Sequence, residues 1–102
     1  MEYQLVLQFK VTEQEQFEWF RSIQDDLELM LGARHLVDGF DVGQGKMNIF
    51  IHTKYPKEAF ELSKEAFFES DLNNMVAAYR EVSNDKFILI WPKGSKKKFD
   101  LF

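Results

Sequence analysis

The 102-residue sequence contains no cysteine, and no apolar run approaches the roughly 18 to 20 residues that would span a bilayer. Without thiols the chain forms no disulfide bond, no thiolate-held zinc or iron–sulfur centre and no cysteine nucleophile. Residues 1–4 are not a basic segment followed by an apolar one, so they do not indicate a secretory signal. We therefore expect a soluble, cytoplasmic protein that contacts no membrane.

Basic residues are scarce outside the C-terminus, which makes the charge of the chain uneven. The formal net charge is −4, yet residues 93–102 carry four lysines and one aspartate. Residues 1–92 therefore hold nine basic and sixteen acidic residues, a net charge of −7. Because an acidic body repels a phosphate backbone, we do not expect nucleic acid as a partner. We divide the chain into a single α+β domain, 1–92, and a basic C-terminal tail, 93–102.

Apolar and aromatic residues are plentiful by contrast. Hydrophobic residues make up 45% of the chain and charged residues 29%, which is typical of a globular domain. Eleven residues are phenylalanine. A domain of this size buries a modest fraction of its surface, so dense aromatic packing would compensate for the missing disulfides and metals.

The first third of the chain predicts a strand and a helix. Residues 2–11 alternate apolar and polar side chains, with Val6 the exception, which is typical of a half-buried strand. Thr12 and Glu15 have the spacing of a helix capping box, and Gly32 is a suitable helix end. Between them the apolar residues recur every three to four positions and define one helical stripe: Phe17, Phe20, Ile23, Leu27, Met30 and Leu31.

The opposite side of this helix is acidic, with Arg21 as its single basic residue. Such a face is most often only solvated, but charge of one sign also steers a partner of the opposite sign. We interpret it as a candidate contact face for a basic protein, comprising Glu15, Glu18, Asp25 and Asp26.

Residues 36–53 are typical of a β-hairpin around the two-residue turn Gln44-Gly45. Such a turn pairs residues whose numbers sum to 89, for example Asp41 with Asn48. One face of the hairpin is then mainly apolar: Leu36, Asp38, Phe40, Val42, Met47, Ile49 and Ile51. The other face is mixed: Val37, Gly39, Asp41, Asn48, Phe50 and His52.

The second half of the chain predicts a helix and two further strands. Pro56 suits the first turn of a helix, and the polar segment 70–74 ends it. Its inner stripe comprises Ala59, Phe60, Ser63, Ala66 and Phe67. Residues 75–82 fit a strand or another helical turn, and we favour a strand because the turn-forming segment 83–85 follows. Residues 87–91 are apolar at every position, which predicts an interior strand covered on both faces.

The predicted order β-α-β-β-α-β-β resembles that of ferredoxin-like α+β proteins, with an additional C-terminal strand, over residues 2–91. That resemblance implies a mainly antiparallel sheet with two helices on one face. The stretch 38–50 also resembles a motif of small, uncharacterised bacterial proteins. Because the ferredoxin-like fold hosts enzymes, ligand sensors, RNA binders and adaptors, the resemblance identifies no catalytic residue.

The open face of the predicted sheet is the candidate site for chemistry. A partly apolar pocket there would be lined by Gln8, Asp41, Asn48, Phe50 and His52. His52 has the side chain that acid–base chemistry needs, but polar residues on a wet sheet face require no chemical role. The two histidines lack the spacing of a zinc site, and Asp38 with Asp41 lacks that of a calcium loop. We therefore expect no metal and no cofactor.

Two functional hypotheses remain open at this point. Two helices cover one face of a sheet, so a second copy, a partner or the tail must shield part of the other face. This favours a non-enzymatic protein–protein interaction module, either a homodimer or an acidic binding protein similar in charge and size to inhibitor and immunity proteins. The alternative is a small ferredoxin-like enzyme or small-molecule-binding protein that uses the open-face pocket.

Overall fold

The computed structural model describes residues 1–11 and 16–101, except the side chains of Gln16 and Phe17. Within that part of the chain the fold is α+β, with one five-stranded antiparallel sheet and three α-helices. The strands are Tyr3–Lys10 (β1), His35–Gly43 (β2), Lys46–Thr53 (β3), Met75–Glu81 (β4) and Ile88–Trp91 (β5). The helices are Gln16–Leu31 (α1), Pro56–Lys64 (α2) and Glu69–Asn73 (α3), and a 3-10 turn, Gly32–Arg34, joins α1 to β2. The predicted capping box of Thr12 and Glu15 lies outside the described residues.

β1 lies at the centre of the sheet, whose strand order is β2-β3-β1-β4-β5. It pairs antiparallel with β3 on one side and with β4 on the other, so that Leu7 is opposite both Ile49 and Ala77. Residues 5–9 are all buried, which means that both faces of the sheet are covered at its centre. β1 is therefore more buried than the half-buried strand that its alternation predicted.

α1 and α2 pack on the same face of the sheet and form the core with it. The core comprises Leu5, Leu7, Phe9, Met47, Ile49, Ile51, Met75 and Ala77 of the sheet with Phe20, Ile23, Leu27, Leu31, Ala59, Phe60 and Phe67. Aromatic contacts bind the layers together. The centroid of the Phe9 ring lies 4.8 Å from that of Trp19 and 5.1 Å from that of Phe67. The dense aromatic packing predicted from composition is thus present in the core.

The predicted apolar stripe of α1 is confirmed for Phe20, Ile23, Leu27 and Leu31, which are buried. Met30 was assigned to the same stripe, but this assignment is wrong because its side chain is 36% exposed. Met30 lies at the margin of the stripe, where a helix turns away from the sheet beneath it. The side chain of Phe17 lies outside the described residues.

The hairpin turn and the adjoining register are as predicted. Gln44 and Gly45 both have positive φ, 51° and 75°, as a two-residue type I′ turn requires. The pairs Asp41↔Asn48 and Gly39↔Phe50 are both present.

The predicted faces are wrong at the start of β2, because a bulge shifts the register between Val37 and Gly39. Leu36 is opposite His52 and Val37 is opposite Ile51, so Val37 packs against the core and Leu36 is exposed. Asp38 is the extra residue of the bulge, and a uniform alternation cannot reveal such an insertion.

Residues 56–81 follow the prediction in part. α2 begins at Pro56 and ends at Lys64, and the stripe residues Ala59, Phe60 and Ser63 are buried. Ala66 and Phe67 were assigned to the same stripe but follow the helix, where Phe67 is buried and Ala66 partly buried. Residues 75–81 form a strand rather than a helical turn. The segment 70–74 was predicted only to end the second helix, but α3 occupies most of it. The described residues therefore form three helices rather than the two predicted. α3 begins where the backbone N–H of Phe68 donates to Asp71 Oδ2 at 3.1 Å, a contact typical of a helix N-terminus.

β5 lies at an edge of the sheet, so the prediction of an interior strand is wrong. Its four residues are nevertheless apolar for a physical reason. The Trp91 ring packs 5.8 Å from Phe60 on the core side, and Leu89 lies beneath the tail on the other side. Ile88 is 53% exposed at the free edge.

Candidate functional site

The sheet face opposite α1 and α2, here called the second face, carries the side chains that alternate with the core residues. They are Gln4, Val6, Gln8 and Lys10 of β1, Lys46, Asn48, Phe50 and His52 of β3, and Val76, Ala78 and Arg80 of β4. At its centre Val6, Asn48 and Ala78 are fully buried. Because both long helices lie on the other side of the sheet, another part of the chain must cover this centre.

The tail covers it. After β5 the chain turns at residues 92–95, where the Ser95 N–H donates to the Pro92 carbonyl at 3.2 Å. Residues 96–101 then continue without regular secondary structure. The Phe99 ring packs 4.9 Å from the Phe87 ring. The part of the tail that the structure describes is therefore packed against the sheet.

Two buried carboxamides hold the tail by its backbone. Gln8 and Asn48, here called the amide pair, are directly opposite each other, and Gln8 Nε2 donates to Asn48 Oδ1 at 3.0 Å. Asn48 Nδ2 donates to the Leu101 carbonyl at 2.8 Å. Gln8 Nε2 lies 2.8 Å from the Asp100 carbonyl oxygen and 3.3 Å from that of Leu101. These bonds satisfy polar groups that would be costly to bury alone.

The other three residues of the predicted pocket have different surroundings. Asp41 is exposed, and its Oδ1 accepts the backbone N–H of the next residue at 2.9 Å. Phe50 is partly buried. His52 Nε2 lies 2.6 Å from Glu2 Oε2, and the two side chains are 41% and 44% exposed. The described hydrogen bonds therefore link Gln8 to Asn48, whereas Asp41 and His52 each bind a different partner.

A cleft of about 380 Å³ lies between the tail and the strands of the second face. Four lysines line it: Lys10, Lys46, Lys97 and Lys98. We call it the lysine cleft. Its floor is partly apolar, with Val76, Leu89 and Phe99, and Asp100 is the one carboxylate residue in its lining. A second cleft of about 740 Å³ is lined by residues 85–87, Leu89 and residues 95–101, and so shares Leu89, residue 95 and residues 97–100 with the lysine cleft.

Sequence reasoning found the basic residues of the tail but missed those of the sheet. Lys10 and Lys46 are directly opposite each other on β1 and β3. Their proximity depends on which strands pair and in which register, and the sequence pattern of each strand by itself does not determine either. An alignment of β1 with β3, added to the predicted register of the hairpin, would have placed Lys10 and Lys46 together.

A buried histidine also has a chemically suggestive arrangement. His35 Nδ1 lies 2.6 Å from Thr53 Oγ1, and its Nε2 lies 2.8 Å from Glu58 Oε2. A carboxylate, an imidazole and a hydroxyl in series are the parts of a nucleophilic triad. Here, however, Thr53 is 1% exposed and its Oγ1 also accepts the Tyr55 N–H at 2.9 Å. The hydroxyl is inaccessible to a substrate, so this chain of contacts ties the hairpin to α2.

α1 presents the predicted acidic face to solvent. Glu18, Asp25 and Asp26 are exposed, and none of them forms an ion pair with another described residue. Glu15, the fourth predicted member, lies outside the described residues. Beside this face Leu29 is 75% exposed, and Met30 is also exposed.

Among the described residues, no three histidine, aspartate or glutamate side chains are grouped closely enough to hold a metal ion. No helix within the same residues is both long and apolar enough to cross a membrane.

Comparisons with protein-family models, with curated proteins and with solved structures found no match to this chain. Function is therefore inferred from the geometry and charge of the molecule itself.

Proposed function

We propose that the chain is a non-enzymatic interaction protein that binds the basic surface of another protein through the outer face of α1. The observation that carries this proposal is the set of exposed carboxylates Glu18, Asp25 and Asp26, which lack basic partners among the described residues. Unpaired charges of one sign on a single helix face raise the rate of encounter with a surface of the opposite sign.

The apolar residues beside the acidic face supply binding energy that the charges alone do not provide. Exposed pairs of charges contribute little binding energy, because both partners remain hydrated. Interfaces gain most of their affinity from a few apolar residues that become buried at the centre. Leu29 and Met30 are exposed next to the carboxylates and are suited to that role. The acidic residues would then form the polar rim and select for a basic partner.

A different protein suits this face better than a second copy of the chain. In a symmetric dimer the same patch meets itself, so two acidic faces would repel each other. The sheet edges are also poorly suited to pairing. β2 carries a bulge with exposed Asp38 and Asp41, and β5 has four residues. Charges, bulges and short edge strands oppose edge-to-edge association.

The fold is consistent with such a role without requiring it. We regard the sheet as a ferredoxin-like arrangement with β5 added at one edge. In support, α1 connects β1 to β2, and β3 lies between these two strands. In the same way α2 and α3 connect β3 to β4, and β1 lies between those two strands. Both are split βαβ units. Because this arrangement hosts many functions, it does not decide between binding and catalysis.

Affinity capture with charge-reversed variants tests the proposal. The wild type, D25K/D26K and the matched control E61K/E65K, which reverses two exposed carboxylates in and just after α2, would be immobilised and exposed to lysate. We expect a basic protein to bind the wild type and the control, and to be depleted at least about tenfold on D25K/D26K and in about 0.5 M salt. Titration of that purified protein against the three variants then measures the affinity.

Two results would contradict the proposal. One is equal loss of the captured protein on both charge-reversed variants, which would indicate a response to net charge rather than to α1. The other is the absence of any captured protein whose binding depends on α1. Circular dichroism of each variant verifies that the fold is intact before the comparison is made.

A further inference from the structure

The lysine cleft contains an unfavourable arrangement of charge. Lys10 and Lys46 occupy directly opposite positions on β1 and β3 and point to the same face of the sheet. Like charges at opposite positions of an antiparallel pair destabilise the sheet. No described carboxylate forms an ion pair with either lysine. A neutral residue at either position would remove this pairing of like charges.

The tail adds further positive charge to this cleft. Its path over the second face brings Lys97 and Lys98 to the same cleft. With Asp100 the one acidic residue in the lining, the cleft has a formal charge of +3 in a chain whose net charge is −4. The amide pair fixes this path by binding the carbonyls of Asp100 and Leu101. Residues whose local interactions lower the stability of the fold are expected mainly at functional sites.

We propose that the lysine cleft binds a small organic phosphate. Four lysines in the lining of one cleft suit a multiply charged phosphate, for which lysine is a common point-charge ligand. The apolar floor formed by Val76, Leu89 and Phe99 suits the organic part of such a molecule. The cleft volume of about 380 Å³ lies in the range of small-molecule sites. Binding would relieve the repulsion between Lys10 and Lys46.

The shape and charge of the whole chain favour a small ligand over a nucleic acid. A polymer that follows the cleft would continue past its ends and meet a body with a net charge of −7. A small phosphate needs only the four lysines.

Calorimetric titration with ATP, pyrophosphate and a single-stranded oligonucleotide tests the inference on the full chain. We expect ATP to bind more tightly than pyrophosphate, because only ATP offers an organic part to the apolar floor. K10Q/K46Q should weaken ATP binding at least about tenfold. The matched control K54Q/K57Q removes the same charge at two exposed positions outside the cleft and should retain wild-type affinity.

A second measurement separates loss of the site from loss of the fold. Without ligand, K10Q/K46Q should unfold at a higher urea concentration than the wild type, because the variant lacks the cross-strand repulsion. Absence of ATP binding by the wild type, or equal affinity of the two variants, would overturn the inference. Tighter, lysine-dependent binding of the oligonucleotide would also overturn it, in favour of a nucleic-acid site. None of these outcomes depends on α1.

Discussion

The two histidines of the chain occupy opposite kinds of environment. The His35 side chain is fully buried between Thr53 and Glu58, whereas the His52 side chain lies half-exposed beside Glu2. A buried imidazole with two partners contributes packing and hydrogen bonds, while an exposed ion pair contributes little. The structural importance of each histidine is therefore set by burial rather than by residue type.

Replacement of each histidine by alanine should separate these environments. We expect His35→Ala to lower the free energy of unfolding by about 2–4 kcal/mol, through a cavity and the loss of the contacts with Thr53 and Glu58. His52→Ala should lower it by less than about 1 kcal/mol. Urea denaturation of the two variants measures both values. Equal losses would mean that the surroundings of these residues are not as described.

The aromatic residues of the core allow a similar comparison. Phe20 is buried, with its ring 4.1 Å from that of Phe40, whereas Phe68 is 82% exposed. We expect Phe20→Ala to cost about 3–5 kcal/mol in unfolding free energy and Phe68→Ala about 0.5 kcal/mol or less. Chemical denaturation provides the measurement, and a loss under about 1 kcal/mol for Phe20→Ala would mean that α1 presents another face to the sheet.

At the scale of single residues, sequence analysis succeeded where the deciding pattern is local. The burial of Phe20 and Leu27 follows from spacing along one helix, which requires no knowledge of the rest of the fold. The contacts of His35 and the juxtaposition of Lys10 with Lys46 depend on which elements meet in space. No periodicity within a single segment carries that information.

The tail behaves as a structural element although it has no regular secondary structure. The hydrogen bonds described here from the amide pair end on backbone carbonyls of Asp100 and Leu101. Local opening of a segment depends on the few contacts that hold it, so loss of one buried donor should release the tail without unfolding the sheet.

Asn48→Leu tests this anchoring by removing the donor while keeping a side chain of similar size. The substitution should lower the free energy that holds the tail on the sheet by about 1 kcal/mol. Trypsin should then cleave after Lys96, Lys97 and Lys98 about fivefold faster. Asn73→Leu, at an exposed position of α3, is the control and should leave the cleavage rate unchanged. Equal rates in the two variants would show that Asn48 does not hold the tail.

At the scale of elements, the strands and helices were easier to predict than their places in the sheet. The alternation in β1 and the turn at Gln44 were visible in the sequence, and a strand at residues 75–81 was favoured over a helical turn. The edge position of β5 was not, because an apolar run looks the same whether a neighbouring strand or the tail covers it. The bulge at Asp38 leaves no periodic signal at all.

The whole molecule carries opposite charges on its two sides. The acidic face of α1 points away from the sheet on one side, and the lysine cleft lies on the second face. A net charge of −4 conceals this separation. The two proposed binding surfaces do not overlap, so a basic protein and an organic phosphate could occupy the chain together.

Truncation after Pro92 tests how far the tail supports the fold. We expect residues 1–92 to fold with an unfolding free energy about 2–3 kcal/mol lower, since the hydrogen bonds that Gln8 and Asn48 donate to the Asp100 and Leu101 carbonyls are lost together with the packing of the tail. Exposure of Val6 and Ala78 should increase the binding of a hydrophobic dye. Glutamine in place of Lys96, Lys97 and Lys98 in the full chain keeps the backbone acceptors and should preserve stability. Unchanged stability of the truncated chain would mean that the tail contributes nothing.

The central position of β1 has a consequence for the order of events on the ribosome. β1 emerges early, yet the residues that flank Leu7 on either side, Ile49 and Ala77, are synthesised much later. A nascent chain must therefore keep five consecutive residues that are buried in the folded protein from associating with other molecules until β3 and β4 have been made. The strand pairings at the centre of the sheet thus join residues about 40 and 70 positions apart, a separation that slows folding.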